Sequence, residues 1–123
     1  MALDRVDMNG LELWRRVLVR SVRSKSPDLS QRQLSVMLTV YLTPAPHTVR
    51  GLAATLGVTK PVITRALDKL SVLEFIRRKT DESDRRNVLV QRTVKGAVFL
   101  SEFAKAIAAS HEASPASETS EPT

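Results

Sequence analysis

The chain contains no cysteine, which excludes disulfides, thiolate metal sites and thiol-based redox sensing. Histidine is almost as scarce. His47 lies in a proline-rich stretch and His111 near the C-terminal end, too few and too dispersed for a metal centre. With no nucleophile beside a base and no paired carboxylates at a telling spacing, nothing points to an enzyme or to a bound cofactor. Aromatics are few, one Trp, one Tyr and three Phe, so the core has to be built from Leu, Val, Ile and Ala. No apolar run approaches the ~18–20 residues that span a bilayer. The opening Met1-Ala2-Leu3-Asp4-Arg5-Val6-Asp7 carries acidic residues and no apolar signal region, so a cytoplasmic protein with no membrane attachment is expected.

What the chain has is positive charge. Its 123 residues suffice for about one domain, with 19 Lys and Arg against 13 Asp and Glu. Three of those acidic residues fall in residues 112–123, a Ser/Thr/Pro/Glu stretch without apolar period that is expected to be a disordered tail. Residues 1–111 therefore carry a net charge of +9. That excess on a small domain suits a polyanionic partner, nucleic acid first and an anionic membrane second.

Periodicity divides the chain into helices and one hairpin. In residues 11–24, Leu11, Trp14, Leu18 and Val22 form one stripe opposite Arg15, Arg16, Arg20 and Arg23, the spacing of an amphipathic helix. Such a stripe opposite arginines could also lie on a membrane surface, although core or subunit contact is its commoner use. Ser30 can cap a second helix through Leu34, Met37, Leu38 and Tyr41, stopped by Thr43-Pro44-Ala45-Pro46. Thr48 opens a short third helix that ends at Gly57. Thr59 is the N-cap candidate for a fourth, with Pro61 in its first turn. Phe75 to Lys79 and Val88 to Gln91 are β-prone runs around a polar, charged tip. Thr93 then caps a last helix bearing Leu100, Phe103 and Ile107. The fold class expected is mainly α with a small β-hairpin wing.

The third and fourth helices carry the functional signal. Counted from Val49, they place Leu52 at position 4, Ala53 at 5, Gly57 at 9, and Leu56, Val58, Ile63 and Ala66 at 8, 10, 15 and 18. Ala53 is small because the next helix crosses close above it, and Gly57 accepts a turn conformation that disfavours a Cβ. This is the pattern of a helix-turn-helix, whose second helix enters the major groove. Burying its apolar stripe leaves Thr59, Lys60, Pro61, Thr64, Arg65 and Lys69 outside. Arginine and lysine can read guanine edges or hold phosphates, and threonine can bond to either. A solvated helix face would also carry such charges. In the hairpin, Arg78 and the tip Asp81-Glu82-Ser83-Asp84-Arg85-Arg86 put arginines where a purely structural turn would more often use Asn or Gly. Arginine on an extended arm suits the narrow minor groove; Arg86 is expected to insert there, with Asp84 orienting an arginine. The DNA-contacting set is thus Thr48, Thr59, Lys60, Pro61, Thr64, Arg65, Lys69, Arg78, Asp84, Arg85 and Arg86.

Gly51 to Val58, Ile63 to Leu70, and above all Asp81-Glu82-Ser83-Asp84-Arg85-Arg86 running on to Thr93-Val94-Lys95-Gly96 resemble the MarR family of bacterial winged-helix regulators. The Asp-x-Arg of the wing, followed by a strand and Thr-x-x-Gly, is the specific part. The resemblance covers about residues 28–100. It implies homodimers on pseudo-palindromic double-stranded operators, usually repressing, with a recognition helix at 59–73 in the major groove and a wing at 76–92 in the minor groove. It also implies N- and C-terminal helices that intertwine between subunits, here 1–29 and 94–111 around a DNA-binding domain at 30–93. Leu11, Trp14, Leu18, Val22, Leu100, Phe103 and Ile107 are then the dimer contacts. Arg92 stands where the family is usually apolar, so the end of the second wing strand is expected to be more exposed. Glu74 replaces a glycine often found after the recognition helix, which implies a different helix ending. The C-terminal helical segment is short for the family, which leaves a small-molecule effector open. The competing expectation is a winged helix that binds protein and has no sequence-specific DNA recognition of its own; the basic helix face argues against it.

Overall fold

The structure is a computed structural model that describes residues 2–112. The described chain forms two compact units, one drawn from its two ends up to Asp28 and from Leu100, the other being Leu29–Phe99. The expected disordered tail lies outside the described residues, except for Glu112, which closes the last helix instead of opening the tail.

In the first unit, helix α1 (Arg5–Arg23) starts six residues earlier than its apolar stripe suggests. Asp4 and Asp7 form a reciprocal cap, each side chain accepting the other's backbone N–H, which satisfies two donors left free at a helix start. Further along, Glu12 accepts from Arg15 and Arg16, and these partners, Arg15 foremost, hold its carboxyl down at about 2. Val17 is the buried residue of α1. Leu11, Trp14, Leu18 and Val22 are exposed.

The second unit begins with α2 (Gln31–Leu42), capped as expected by Ser30 with Gln33 as its reciprocal partner. Its buried positions are Val36, Met37 and Val40, while Leu34 and Leu38 of the predicted stripe are half-buried. A two-residue strand β1 (His47–Thr48) leads directly into α3 (Val49–Leu56) and α4 (Lys60–Val72). The hairpin β2 (Ile76–Thr80) and β3 (Val88–Arg92) follows, and α5 (Val94–Glu112) begins in this unit. The sheet is antiparallel in the order β1-β3-β2, with Thr48 opposite Leu89 and Arg78 opposite Val90. Helix α4 packs on α2, α3 and β2. Met37, Leu52, Ile63, Leu67 and Leu70 fill the space between them and are fully buried, each stabilising the unit by about 1.5–3 kcal/mol.

One junction locks the helices to the base of the hairpin. The Tyr41 hydroxyl donates to Phe75 O at 2.7 Å and accepts from Thr93 N at 2.9 Å. Thr93 Oγ1 in turn donates to Glu74 O and accepts from Gly96 N, capping α5 as expected. Phe75 and Phe99 stack with ring centroids 4.6 Å apart. Gly96 packs so closely on this group that an added Cβ would strike the Tyr41 hydroxyl and the Phe75 carbonyl.

Candidate nucleic-acid interface

Helices α3 and α4 are set at a sharp turn by local chemistry. Thr48 Oγ1 accepts from Gly51 N at 2.9 Å, and Gly57 takes the left-handed conformation, φ 68°, that ends α3. Ala53 is buried as the crossing requires. Thr59 stands at the N-cap of α4, but its side chain makes no capping bond, contrary to expectation. Pro61 in the first turn removes a backbone donor that has no helical partner there, which lessens the need for a cap. The Thr59 hydroxyl is left to point outward with Lys60, Pro61, Thr64, Arg65 and Lys69, all exposed, while Ile63, Ala66, Leu67 and Leu70 are buried.

The wing tip holds its shape by bonds to its own carboxylates. Asp81 Oδ1 accepts from Ser83 N and Oγ, and Asp81 N donates to Asn87 O across the tip. Asp84 takes Arg86 in a two-pronged grip, Nε to Oδ1 at 3.0 Å and Nη2 to Oδ2 at 3.1 Å, and also accepts from Arg86 N. Hydrogen bonds from Arg86, first from the side chain and then from the backbone, hold the Asp84 carboxyl below its usual range, with Arg50 adding a weaker electrostatic pull. The arginine that Asp84 engages is Arg86, whose side chain is otherwise 84% exposed. Arg85 lies loosely against Glu82 at 3.8 Å. Arg78 instead pairs with Asp68 of α4 at 2.8 Å.

Two basic residues join this surface that sequence reasoning passes over. Arg50, in the first turn of α3, lies close enough to act on Asp84. Arg32, in the first turn of α2, lines a small polar cleft with Ser30, Gln33, Val62, Arg65 and Ala66. Each is the second residue of a helix whose N-cap, Thr48 or Ser30, is legible in the sequence, and that is the available signal for both.

The sequence model of the MarR family matches residues 29–88. That match spans 60 of the chain's 123 residues, from the start of the winged unit into the wing. Comparison with curated protein sequences gives no match. Among solved structures, the MarR-family fold recurs in a mutant of MepR from S. aureus, with TM-score 0.73, 19% identity and coverage of 86% of this chain and 75% of that one. The transcriptional repressor CouR, bound to a 23-mer DNA duplex, is 27% identical with TM-score 0.68, covering 87% and 72%. BldR, a transcriptional regulator from Sulfolobus solfataricus, is also 27% identical, with TM-score 0.60 and coverage of 89% and 84%. The family match and the solved repressor on its duplex support, in coarse terms, a DNA-binding transcriptional regulator.

Two departures from the MarR pattern resolve in different ways. The end of β3 is exposed at Gln91 and Arg92, as expected, yet Arg92 is anchored: it donates to Val40 O at 2.8 Å and Thr43 O at 2.9 Å, and lies over the Tyr41 ring. It satisfies carbonyls at the end of α2 that a helix leaves unpaired. Glu74, in contrast, does not change the helix ending as expected, because it takes the left-handed conformation itself, φ 63°. Of the residues expected at a dimer contact, Leu11, Trp14, Leu18, Val22 and Ile107 are exposed, and Leu100 and Phe103 are half-buried. No described helix is long and apolar enough to cross a membrane.

Proposed function

We propose that this chain is a sequence-specific repressor that binds a pseudo-palindromic duplex as a homodimer, with α4 in the major groove and the wing in the minor groove. The observation that carries the reading is the pairing, on one compact unit, of an exposed Thr/Lys/Arg face on α4 with an exposed wing arginine already oriented by a carboxylate. Arg65 and Lys69, one turn apart, reach base edges and phosphates, and Thr48, Thr59, Lys60, Pro61 and Thr64 line the approach. Arg86 enters the minor groove, where negative potential is enhanced, and Arg85 follows the backbone. Asp84 orients Arg86 without touching DNA. The transcriptional repressor CouR, 27% identical to this chain and solved bound to a 23-mer DNA duplex, supports double-stranded DNA as the partner.

A homodimer accounts for the apolar row Leu11, Trp14, Leu18 and Val22 on α1, which is exposed in the single chain. Leu100, Phe103 and Ile107 of α5 complete that contact. The DNA-binding domain is 30–93, flanked by dimerising segments 1–29 and 94–111, and the protein works in the cytoplasm. The test is selection of a duplex from a random pool, followed by footprinting. Two protected half-sites about 10 bp apart on one face, with affinity falling steeply as salt rises, are expected. One short footprint, or binding unaffected by salt, would overturn the reading.

A further inference from the structure

The exposed face of α4 carries one group of the wrong sign. Asp68 lies between Arg65 and Lys69 in sequence and is 59% exposed, where a bare carboxylate would repel phosphates. It is not bare. Arg78 Nη1 donates to Asp68 Oδ1 at 2.8 Å, the one ion pair among the described residues that joins α4 to the wing. Arg78 stands at the middle of β2, opposite the buried Val90 of β3. The hairpin is seated by Ile76 at its base and by Val90 at mid-strand, and this pair ties the same mid-strand level to the helix.

We infer that Asp68 and Arg78 are positioning residues, whose pairing fixes the wing at one separation from α4 so that both groove contacts are made together. The inference rests on the reading that α4 and the wing both contact DNA. It also reassigns Arg78, which the sequence places among the DNA contacts, to an act performed through Asp68. Contacts made together depend steeply on geometry, because a wing free to swing loses orientation before it meets the groove.

The two roles for Arg78 predict opposite signs for one substitution. Asp68→Ala removes a negative charge from a DNA-facing surface. If Arg78 is simply a phosphate ligand, that change frees it and binding tightens. If the pair positions the wing, Asp68→Ala weakens binding to the selected duplex by about tenfold, equivalent to ~1.4 kcal/mol. Minor-groove protection by the wing in hydroxyl-radical footprints is then lost while the α4 half-site stays protected.

Arg78→Ala has the same effect, and the double variant is no worse than either single one. The charge swap Asp68→Arg with Arg78→Asp restores the wing protection. All of these are measured on the full chain, with thermal unfolding as the control; both residues are substantially exposed, so midpoints move little. Equal or tighter binding by Asp68→Ala, or additive losses in the double variant, would overturn the inference. Failure of the unaltered chain to bind any selected duplex would instead sink the DNA reading on which it rests.

Discussion

Replacing Gly96 by alanine tests the junction on which the winged unit is assembled. Gly96 is in the first turn of α5, a helical position where alanine would ordinarily be the better residue by up to about 1 kcal/mol. Here the sign reverses. An added methyl would run into the Phe75 carbonyl, which is backbone, and into the hydroxyl at the end of the rigid Tyr41 ring. Relief requires α5 to move off or Tyr41 to withdraw. Overpacking of this sort costs about 1–3 kcal/mol. Displacing the Tyr41 hydroxyl also breaks its bonds to Phe75 O and Thr93 N, at about 1 kcal/mol each. Allowing for the helix-forming gain, the net loss is roughly 2–4 kcal/mol, a fall of about 1–2 M in the urea midpoint for a slope near 2 kcal/mol/M. Circular dichroism in urea reads it directly. The companion Tyr41→Phe with Gly96→Ala should recover only part of the loss, because the Phe75 carbonyl remains in the way. A Gly96→Ala chain as stable as the unaltered one would refute the close packing.

Glu74→Gly should stabilise the chain by about 0.5–1 kcal/mol, since glycine enters the left-handed region without the penalty a side chain meets; a lowered melting midpoint would contradict this. Arg86→Ala should let the Asp84 carboxyl rise toward its usual 3.8, followed by carbon NMR titration. The sign follows from linkage: Asp84 is depressed in the folded chain, so its contribution is present above 3.8 and lost as pH falls through the depressed value. An unmoved titration would mean that Arg86 is not what holds it. Arg65→Ala should weaken binding to the selected duplex by about 1–3 kcal/mol and relax base preference at one position per half-site. A uniform loss across sequences would make Arg65 a phosphate contact. Leu18→Glu should shift sedimentation from dimer to monomer without loss of helicity, and a monomeric unaltered chain would remove the proposed interface.

The parts legible in the sequence are those whose chemistry is local. Ser30 with Gln33, and Thr48 followed by Gly57, announce helix ends within a few residues, and the structure places caps and turn there. The start of α1 escapes the apolar stripe because Asn9 and Gly10 interrupt it, although Asp4 and Asp7 carry the capping signal. Strand β1 is illegible for another reason. Its two residues have no pattern of their own and are a strand only because β3 lies alongside. The bonds of Arg92 are illegible for the same cause: the carbonyls it satisfies belong to Val40 and Thr43, 52 and 49 residues earlier. At Arg78 the residue type fits a DNA contact equally well, and only its distance to Asp68 shows that the protein already engages it.

The hairpin is held by different means at its two ends, and the difference separates stability from recognition. At the base, Ile76 is buried, Arg92 is bonded to α2, and Tyr41 and Thr93 tie the neighbouring chain to α5. At the tip, the bonds run only among residues 81–87, all near the surface. A short loop closed on itself keeps Arg86 oriented without drawing on the core. Substitutions at Gly96 or Tyr41 should therefore move the unfolding midpoint. Substitutions at Arg85 or Arg86 should move it little and act mainly on DNA binding, because nothing buried depends on them. Asp68 and Arg78 stand between these two ends, where a change in binding with little change in stability distinguishes a device that aims the wing from one that holds the fold.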